Sequence, residues 1–169
     1  NFRLPQITVF PATSADNPSP AISSDSVTEG KNAFNWIDEY MKKENKQPRD
    51  GGNKFNIVVL EGTVGSSVAI GRSQGFTDAM KAAPDADKYQ ILASQTGEFT
   101  RQKGQEVMES FLKTYGDKID VLFSQNDDMA LGVVEAVEEA KADILVVGVD
   151  GIGEAYDSIN NYYNSQMSW

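Results

Sequence analysis

The feature that most constrains the fold of this chain is a unit that occurs four times between Phe55 and Gly151. Each unit consists of an apolar run, a short polar loop and a helical pattern, and the runs are Ile57–Leu60, Tyr89–Ala93, Val121–Phe123 and Ile144–Val147. Strand, loop and helix repeating at roughly thirty residues are typical of βαβ units. The sequence therefore predicts an α/β fold, an open and mostly parallel sheet with helices on both faces. Because ligands of such sheets bind outside the carboxyl ends of the strands, we expect the four loops to form one site.

The composition excludes several classes of function. A length of 169 residues with 40% hydrophobic and 24% charged residues is typical of one globular domain. The net charge of −10 argues against a nucleic-acid partner. The chain contains no Cys and no His, which excludes disulfides and serine–histidine triads and removes most transition-metal sites. We therefore predict no cofactor and favour binding over catalysis. No apolar run is long enough to span a membrane, and no signal peptide is visible at Asn1.

The residues before the repeat predict a short strand at Leu4–Phe10 and a loop or crossover over Pro11–Pro20. A helix of about sixteen residues should follow, capped by Asp25 or Ser26. Four apolar positions are expected on its buried face, namely Val27, Phe34, Ile37 and Met41. The polar connection Lys42–Lys54 is longer than a typical αβ loop, and we expect it to be mobile.

Four further helices are predicted, over Ser67–Ala82, after Thr100, after Asp127 and from about Gly153. Residues 160–169 complete no obvious unit, although a sheet of this type would need another strand there. We therefore expect a truncated C-terminal tail at 160–169.

The glycine-containing loops give only weak nucleotide signals. Gly62–Ser67 lacks the Gly-Lys-Ser/Thr ending of a phosphate loop, and Gly148–Gly153 does not fit the dinucleotide fingerprint. The first is better interpreted as a tight strand-to-helix turn that Ser66 or Ser67 caps.

Polar residues after the third and fourth apolar runs are the best candidates for ligand binding. Asp127 and Asp128 are expected to cap a helix rather than hold a metal. The Asn126 amide offers donors and an acceptor, as recognition of hydroxyl groups requires. Asp150 could accept paired hydrogen bonds from neighbouring hydroxyls, or it could cap a helix.

Two further side chains would complement these groups. Arg72 could reach the loop from one turn inside its helix, or it could pair with Asp78 or Glu98. Phe99 could stack on a sugar ring or fill the core. An arginine, an amide, a carboxylate and an aromatic ring together suit a polyhydroxy ligand.

Five ordered segments then carry a family resemblance: Ser24–Lys31, Leu60–Arg72, Ala93–Gly104, Gln125–Gly132 and Val147–Gly151. They resemble the sugar-binding members of the periplasmic binding protein superfamily, the ribose- and galactofuranose-binding group that serves ABC transporters. The similarity covers Ile22–Ile159, and Gly62–Ile70 and Phe99–Arg101 look closest to the galactofuranose-binding branch.

This resemblance implies a function and a set of contacts. Members have two α/β lobes that close on a sugar, so residues 1–21 would be a remnant of the first lobe with the crossover, and residues 22–159 the second lobe. The resemblance places six side chains at or near the ligand: Arg72, Asn126 and Asp150 as hydrogen-bonding groups, Phe99 as a stacking ring, Thr63 in the turn and Ser24 near the crossover. It also implies a permease partner and a periplasmic or extracellular location.

The sequence departs from the family pattern at two places. Phe10 and Pro11 stand where the family usually has a polar pair, and Lys42–Lys54 is longer than the compact family pattern. Because the facing lobe is absent from the chain, the surface it would cover is expected to favour self-association.

Three alternatives stay open at this stage. The same fold serves as the effector-binding domain of LacI-type transcriptional regulators. A glycosidase could use paired carboxylates, drawn from Glu61, Glu98, Asp127 and Asp150. The chain could also be a folded fragment that does not bind ligand by itself.

Overall fold

The computed structural model describes residues 7–11 and 20–167. The start of the first predicted strand, at 4–6, and the middle of the predicted crossover, at 12–19, lie outside the described residues. Strand β1 (Ile7–Pro11) pairs antiparallel with β2 (Pro20–Ser24), and Ile7 faces Ser24 across the ladder. The sequence did not predict β2, because its Pro and Ser residues favour a loop and its pairing with β1 depends on a contact between distant residues.

Helix α1 (Ser26–Lys43) begins as predicted at Asp25, whose Oδ1 accepts a hydrogen bond of 3.1 Å from the Thr28 backbone N–H. Phe34, Ile37 and Met41 are buried, as expected. The expectation for Val27 is wrong, since this side chain is 45% exposed. Its backbone carbonyl faces the next helix instead, at a point where a Cβ on Gly75 would overlap that oxygen.

The second sheet contains the four apolar runs in the order β4-β3-β5-β6, with every neighbouring pair parallel. The strands are β3 (Phe55–Glu61), β4 (Tyr89–Thr96), β5 (Val121–Ser124) and β6 (Leu145–Val147). This arrangement confirms the predicted α/β class. β3 and β5, which hold the centre, are buried almost throughout, as a sheet covered on both faces requires.

The helices after these strands are α2 (Ser67–Ala82), α3 (Arg101–Tyr115), α4 (Asp127–Glu139) and α5 (Gly153–Met167), and short 3₁₀ turns occupy Ala86–Lys88 and Gly116–Lys118. Helices α1 and α2 cover one face of the sheet, where Phe34 and Phe76 pack on Phe123 and its neighbours. Helices α3 and α4 cover the other face, where Met108, Phe111 and Val133 lie in the core. Helix α5 runs without a break across the boundary predicted between 159 and 160. Among the described helices, none is long and apolar enough to cross a membrane.

The long connection after α1 is attached to the amino-terminal edge of the sheet. The Asp120 carboxylate accepts hydrogen bonds of 2.7 Å from the backbone N–H groups of Arg49 and Asn56. The Arg49 side chain donates to the carbonyl of Ile119 at 2.8 Å. These bonds anchor the segment that the sequence predicts to be mobile.

Helices α1 and α2 cross with their backbones in contact. A Cβ on Gly30 would overlap the Arg72 carbonyl oxygen, and one on Gly75 would overlap that of Val27. Only glycine allows this approach at both positions. The crossing brings the first turn of α1 against the first turns of α2, and so against the carboxyl edge of the sheet.

Candidate functional site

The candidate site lies where the central strands end. Helix α2 leaves β3 on one face of the sheet and α4 leaves β5 on the other, although β3 and β5 are neighbours. Connections that leave adjacent strands toward opposite faces open a crevice at the carboxyl edge, which is the usual ligand position in open α/β sheets.

Arg72 is the centre of this edge and is only 5% exposed. Its Nε donates to Glu29 Oε2 at 2.8 Å, its Nη2 donates to Asp150 Oδ1 at 2.8 Å, and its Nη1 donates to the Gln125 carbonyl. The predicted alternative partners, Asp78 and Glu98, are therefore wrong. The reason is the close crossing of α1 and α2, which turns the guanidinium toward α1 and the loop after β5.

Asp150 is held at the rim of the crevice with its side chain 37% exposed. Its backbone φ is +114°, a conformation that is strained for a residue with a Cβ and is typical of functional sites. Oδ1 is bound by Arg72, whereas Oδ2 has no hydrogen-bond partner among the described residues. One carboxylate oxygen is thus available to a ligand.

Asn126, not Asp127 or Asp128, is the N-cap of α4, so the capping expectation for the two carboxylates is wrong. The Asn126 Oδ1 accepts from the Met129 backbone N–H at 3.0 Å. Its Nδ2 has a single long bond of 3.5 Å to the Phe99 carbonyl. The amide oxygen is committed to the helix, and the amide N–H₂ is left to donate elsewhere.

Asp127 instead fixes the loop that carries Asp150. It is 5% exposed, and its Oδ2 accepts from the backbone N–H groups of Gly151 and Ile152 at 2.7 and 2.9 Å. Burial raises the pKa of this carboxyl, while the two N–H bonds oppose the rise. Asp128 is exposed and pairs with Arg101 at 3.3 Å. Sequence reasoning missed the role of Asp127 because its partners follow the next strand.

Phe99 and Glu98 both adopt left-handed backbone conformations, with φ of +60° and +55°. The Phe99 ring lies against Gly62 so closely that a Cβ at Gly62 would overlap it. The ring is half-buried and packs partly on the core, which supports its core-filling role, whereas stacking on a sugar ring stays a prediction.

The two remaining predicted residues lie in the elements that enter the site. Thr63 is exposed in the turn after β3, where its carbonyl accepts from the Ser66 N–H at 3.1 Å. Ser66 is the cap residue of α2, although its side chain makes no capping bond. Ser24 is the last residue of β2 and directly precedes the cap of α1.

Gln125 joins these loops and was not singled out from the sequence. Its side chain is fully buried, Oε1 accepts from the Gly62 N–H at 2.8 Å, and Nε2 donates to the Ala69 carbonyl at 3.1 Å and to Ser73 Oγ at 2.7 Å. A long polar side chain one residue after the apolar run Val121–Phe123, in a strand expected to be buried, is the signal that could have indicated this role.

The arrangement offers several hydrogen-bonding groups at one edge of the sheet. Of the four carboxylates considered for glycoside hydrolysis, Glu61 accepts from Ser73, Asp127 binds backbone N–H groups and Asp150 pairs with Arg72. The fourth, Glu98, is exposed. The described residues contain no cluster of three or more potential metal ligands.

The sequence matches the periplasmic binding protein domain over residues 5–169. It is 40% identical over 144 residues to the galactofuranose-binding protein of Escherichia coli, covering 82% of this chain and 42% of that protein. It is 35% identical to the ribose import binding protein of Haemophilus influenzae, covering 94% of this chain and 49% of that protein. The chain thus spans about half the length of these curated relatives.

Solved structures similar to this chain are also of sugar-binding proteins. A Mycobacterium smegmatis protein in complex with β-D-fucofuranose superposes with a TM-score of 0.70 at 39% identity, covering 81% of this chain and 43% of that one. The periplasmic binding protein component of the arabinose ABC transporter from Shewanella sp. ANA-3, bound to α- and β-L-arabinofuranose, superposes with a TM-score of 0.69 at 37% identity. The match covers 81% of this chain and 43% of that one. Over nearly its whole length, this chain belongs to the periplasmic binding protein family.

Proposed function

We propose that this chain is the second lobe of a solute-binding protein that recognises a monosaccharide for uptake by an ABC transporter. The observation that carries the proposal is the Arg72–Asp150 ion pair at the carboxyl edge, with N···O at 2.8 Å and one Asp150 oxygen free of protein partners. A carboxylate fixed by an arginine is a strong, well-oriented acceptor for two neighbouring sugar hydroxyls.

The other groups fit the rest of such a ligand. Arg72 has five N–H donors, of which three bind protein acceptors, so two can donate to sugar oxygens. Asn126 contributes its amide N–H₂, and the Phe99 ring can cover an apolar C–H face. The function is non-catalytic, because every assigned group binds or orients.

Two relatives support a furanose as the preferred ring form. The structures with β-D-fucofuranose and L-arabinofuranose share 39% and 37% identity with this chain. A five-membered ring presents its hydroxyls over a smaller span than a pyranose. Such a span suits the Arg72 donors and the Asp150 acceptor, which the ion pair holds close together.

Membership of the family supports a proposal for the partners and the location as well. A permease would recognise the ligand-stabilised closed form, and the protein would act outside the cytoplasmic membrane. Self-association through an open sheet edge is a further proposal, supported by β4, an eight-residue strand at the edge of the described sheet. Light scattering of the purified chain tests it: dimers at high concentration are expected, and a monodisperse monomer would refute it.

A thermal melt with a panel of pentoses, hexoses and myo-inositol at millimolar concentration tests the binding proposal. A sugar at its own Kd adds about 0.4 kcal/mol to the free energy of unfolding, and a tenfold excess adds about 1.4 kcal/mol, or roughly 3–6 °C in Tm. Asp150→Asn should abolish the shift, and Asn126→Asp should weaken it while keeping the helix cap. Asp78→Asn, at an exposed position of α2, is the matched control. A cooperative melt that no sugar shifts would contradict the proposal.

A further inference from the structure

We infer that Glu29 is a positioning residue of this edge, one that fixes the Arg72 guanidinium without touching the ligand. The inference rests on the proposed function only for its effect on sugar affinity. That Glu29 fixes the orientation of the guanidinium can be tested separately, in the chain without ligand.

The guanidinium is held in its plane by acceptors on three nitrogens. Glu29 binds Nε at 2.8 Å, the Gln125 carbonyl binds Nη1, and Asp150 binds Nη2 at 2.8 Å. The guanidinium plane turns about the Cδ–Nε bond, and the Nε–H bond lies in that plane. An acceptor for Nε–H therefore sets the direction in which both Nη groups point. Of the two carboxylates, that of Glu29 is the more enclosed, with its side chain 13% exposed against 37% for Asp150.

The position of Glu29 is itself rigid. It lies in the first turn of α1, where its backbone N–H donates to the Asp25 carbonyl at 2.9 Å. The adjacent Gly30 allows the α1 backbone to contact that of α2 at Arg72. Glu29 therefore ties the element that directly follows β2 to the residue that holds Asp150.

Glu29 also determines the charge that a ligand meets. A single guanidinium faces two carboxylates, Glu29 and Asp150, and the Asp127 carboxylate interacts electrostatically with Arg72 and Asp150. The three carboxylates outnumber the single arginine charge, so the site carries an excess of negative charge before a ligand enters. A neutral sugar can still accept from the remaining N–H groups, whereas a sugar acid would be repelled by the excess negative charge. We expect Glu29 to set this preference for neutral sugars.

The positioning role is tested in the unliganded chain by the ¹⁵N resonance of Arg72 Nε–Hε, assigned by its absence in Arg72→Lys. In the wild type this proton should be protected from exchange with water. Glu29→Ala should lose the protection, and Glu29→Gln, which keeps an acceptor oxygen, should retain most of it. Glu39→Ala, at an exposed position of the same helix, should change nothing. An unchanged Nε–Hε signal in Glu29→Ala would overturn the inference.

The effect on recognition is tested by titrating galactose, arabinose and galacturonate into the same variants. Glu29→Ala should weaken binding of the best neutral sugar by about tenfold, with partial recovery in Glu29→Gln. Glu29→Gln should also raise the affinity for galacturonate relative to the neutral sugar, and Glu39→Gln should leave that ratio unchanged. An unaltered ratio in Glu29→Gln would refute the charge argument. If the wild type binds no sugar, the proposed function fails while the Nε measurement still decides the role of Glu29.

Discussion

Replacing Gln125 by leucine tests whether one buried amide holds the loops of the site together. The substitution keeps the approximate size of the side chain and removes its hydrogen bonds to Gly62, Ala69 and Ser73. Ser73 Oγ keeps Glu61 as a partner at 3.1 Å, and the Ala69 carbonyl lies within helix α2. The Gly62 N–H, at a buried residue, loses the acceptor it has in Gln125.

An orphaned buried N–H costs about 1–3 kcal/mol, so we expect Gln125→Leu to lower the free energy of unfolding by about 2 kcal/mol. For a chain of this size that corresponds to a fall in Tm of roughly 4–8 °C. Urea and thermal denaturation, followed by circular dichroism, measure the change. Gln74→Leu makes the same change at an exposed position of α2 and should stay within about 0.5 kcal/mol of the wild type. Equal midpoints for the two variants would refute the assignment of Gln125.

Two further substitutions probe the elements that enter the site. Gly62→Ala should displace the Phe99 ring, because the new Cβ would overlap it, and should therefore weaken sugar binding. An unchanged affinity in a titration would contradict this. Asp25→Ala should cost about 1 kcal/mol of stability at neutral pH through loss of the α1 cap. The side-chain and backbone bonds from Thr28 lower the pKa of Asp25 below 3.8, so this contribution is present above that pH and is lost as the pH falls through the folded-state pKa. Melts of both proteins from neutral to strongly acidic pH should therefore converge, and a constant difference would argue against the cap.

The elements of the main sheet could be predicted from sequence because their signals are local. The apolar runs at Ile57–Leu60 and Val121–Phe123 became strands, and Thr100 caps α3 as expected by accepting from the Lys103 N–H. Strand β2 could not be predicted in this way, since its partner β1 lies across residues 12–19. Val27 was assigned to the core from helical periodicity, which carries no information on the backbone contact that the glycines of α1 and α2 create.

The distinction between local signals and contacts between separate segments also explains which features of the site could be predicted. The residue types at the carboxyl edge, Arg72, Asn126 and Asp150, could be selected by position in the repeat. Their pairing could not, because Arg72 joins segments before β3, after β5 and after β6, so its partners depend on the sheet order. The helix cap expected at Asp127 falls to Asn126 for a related reason. The Asp127 carboxylate is taken by the loop at Gly151, which leaves the cap to the preceding amide.

The most direct test of the central claim is a map of the backbone amides that move when a sugar is added. The ¹⁵N–¹H spectrum of the uniformly labelled chain would be recorded during titration with arabinose, galactose and ribose. We expect the shifts to concentrate at Gly62–Gly65, Phe99, Asn126 and Gly151, and to vanish in Asp150→Asn. Shifts centred instead on the opposite edge of the sheet, around Asn56 and Asp120, or no saturable shifts with any sugar, would contradict a binding site at the carboxyl edge.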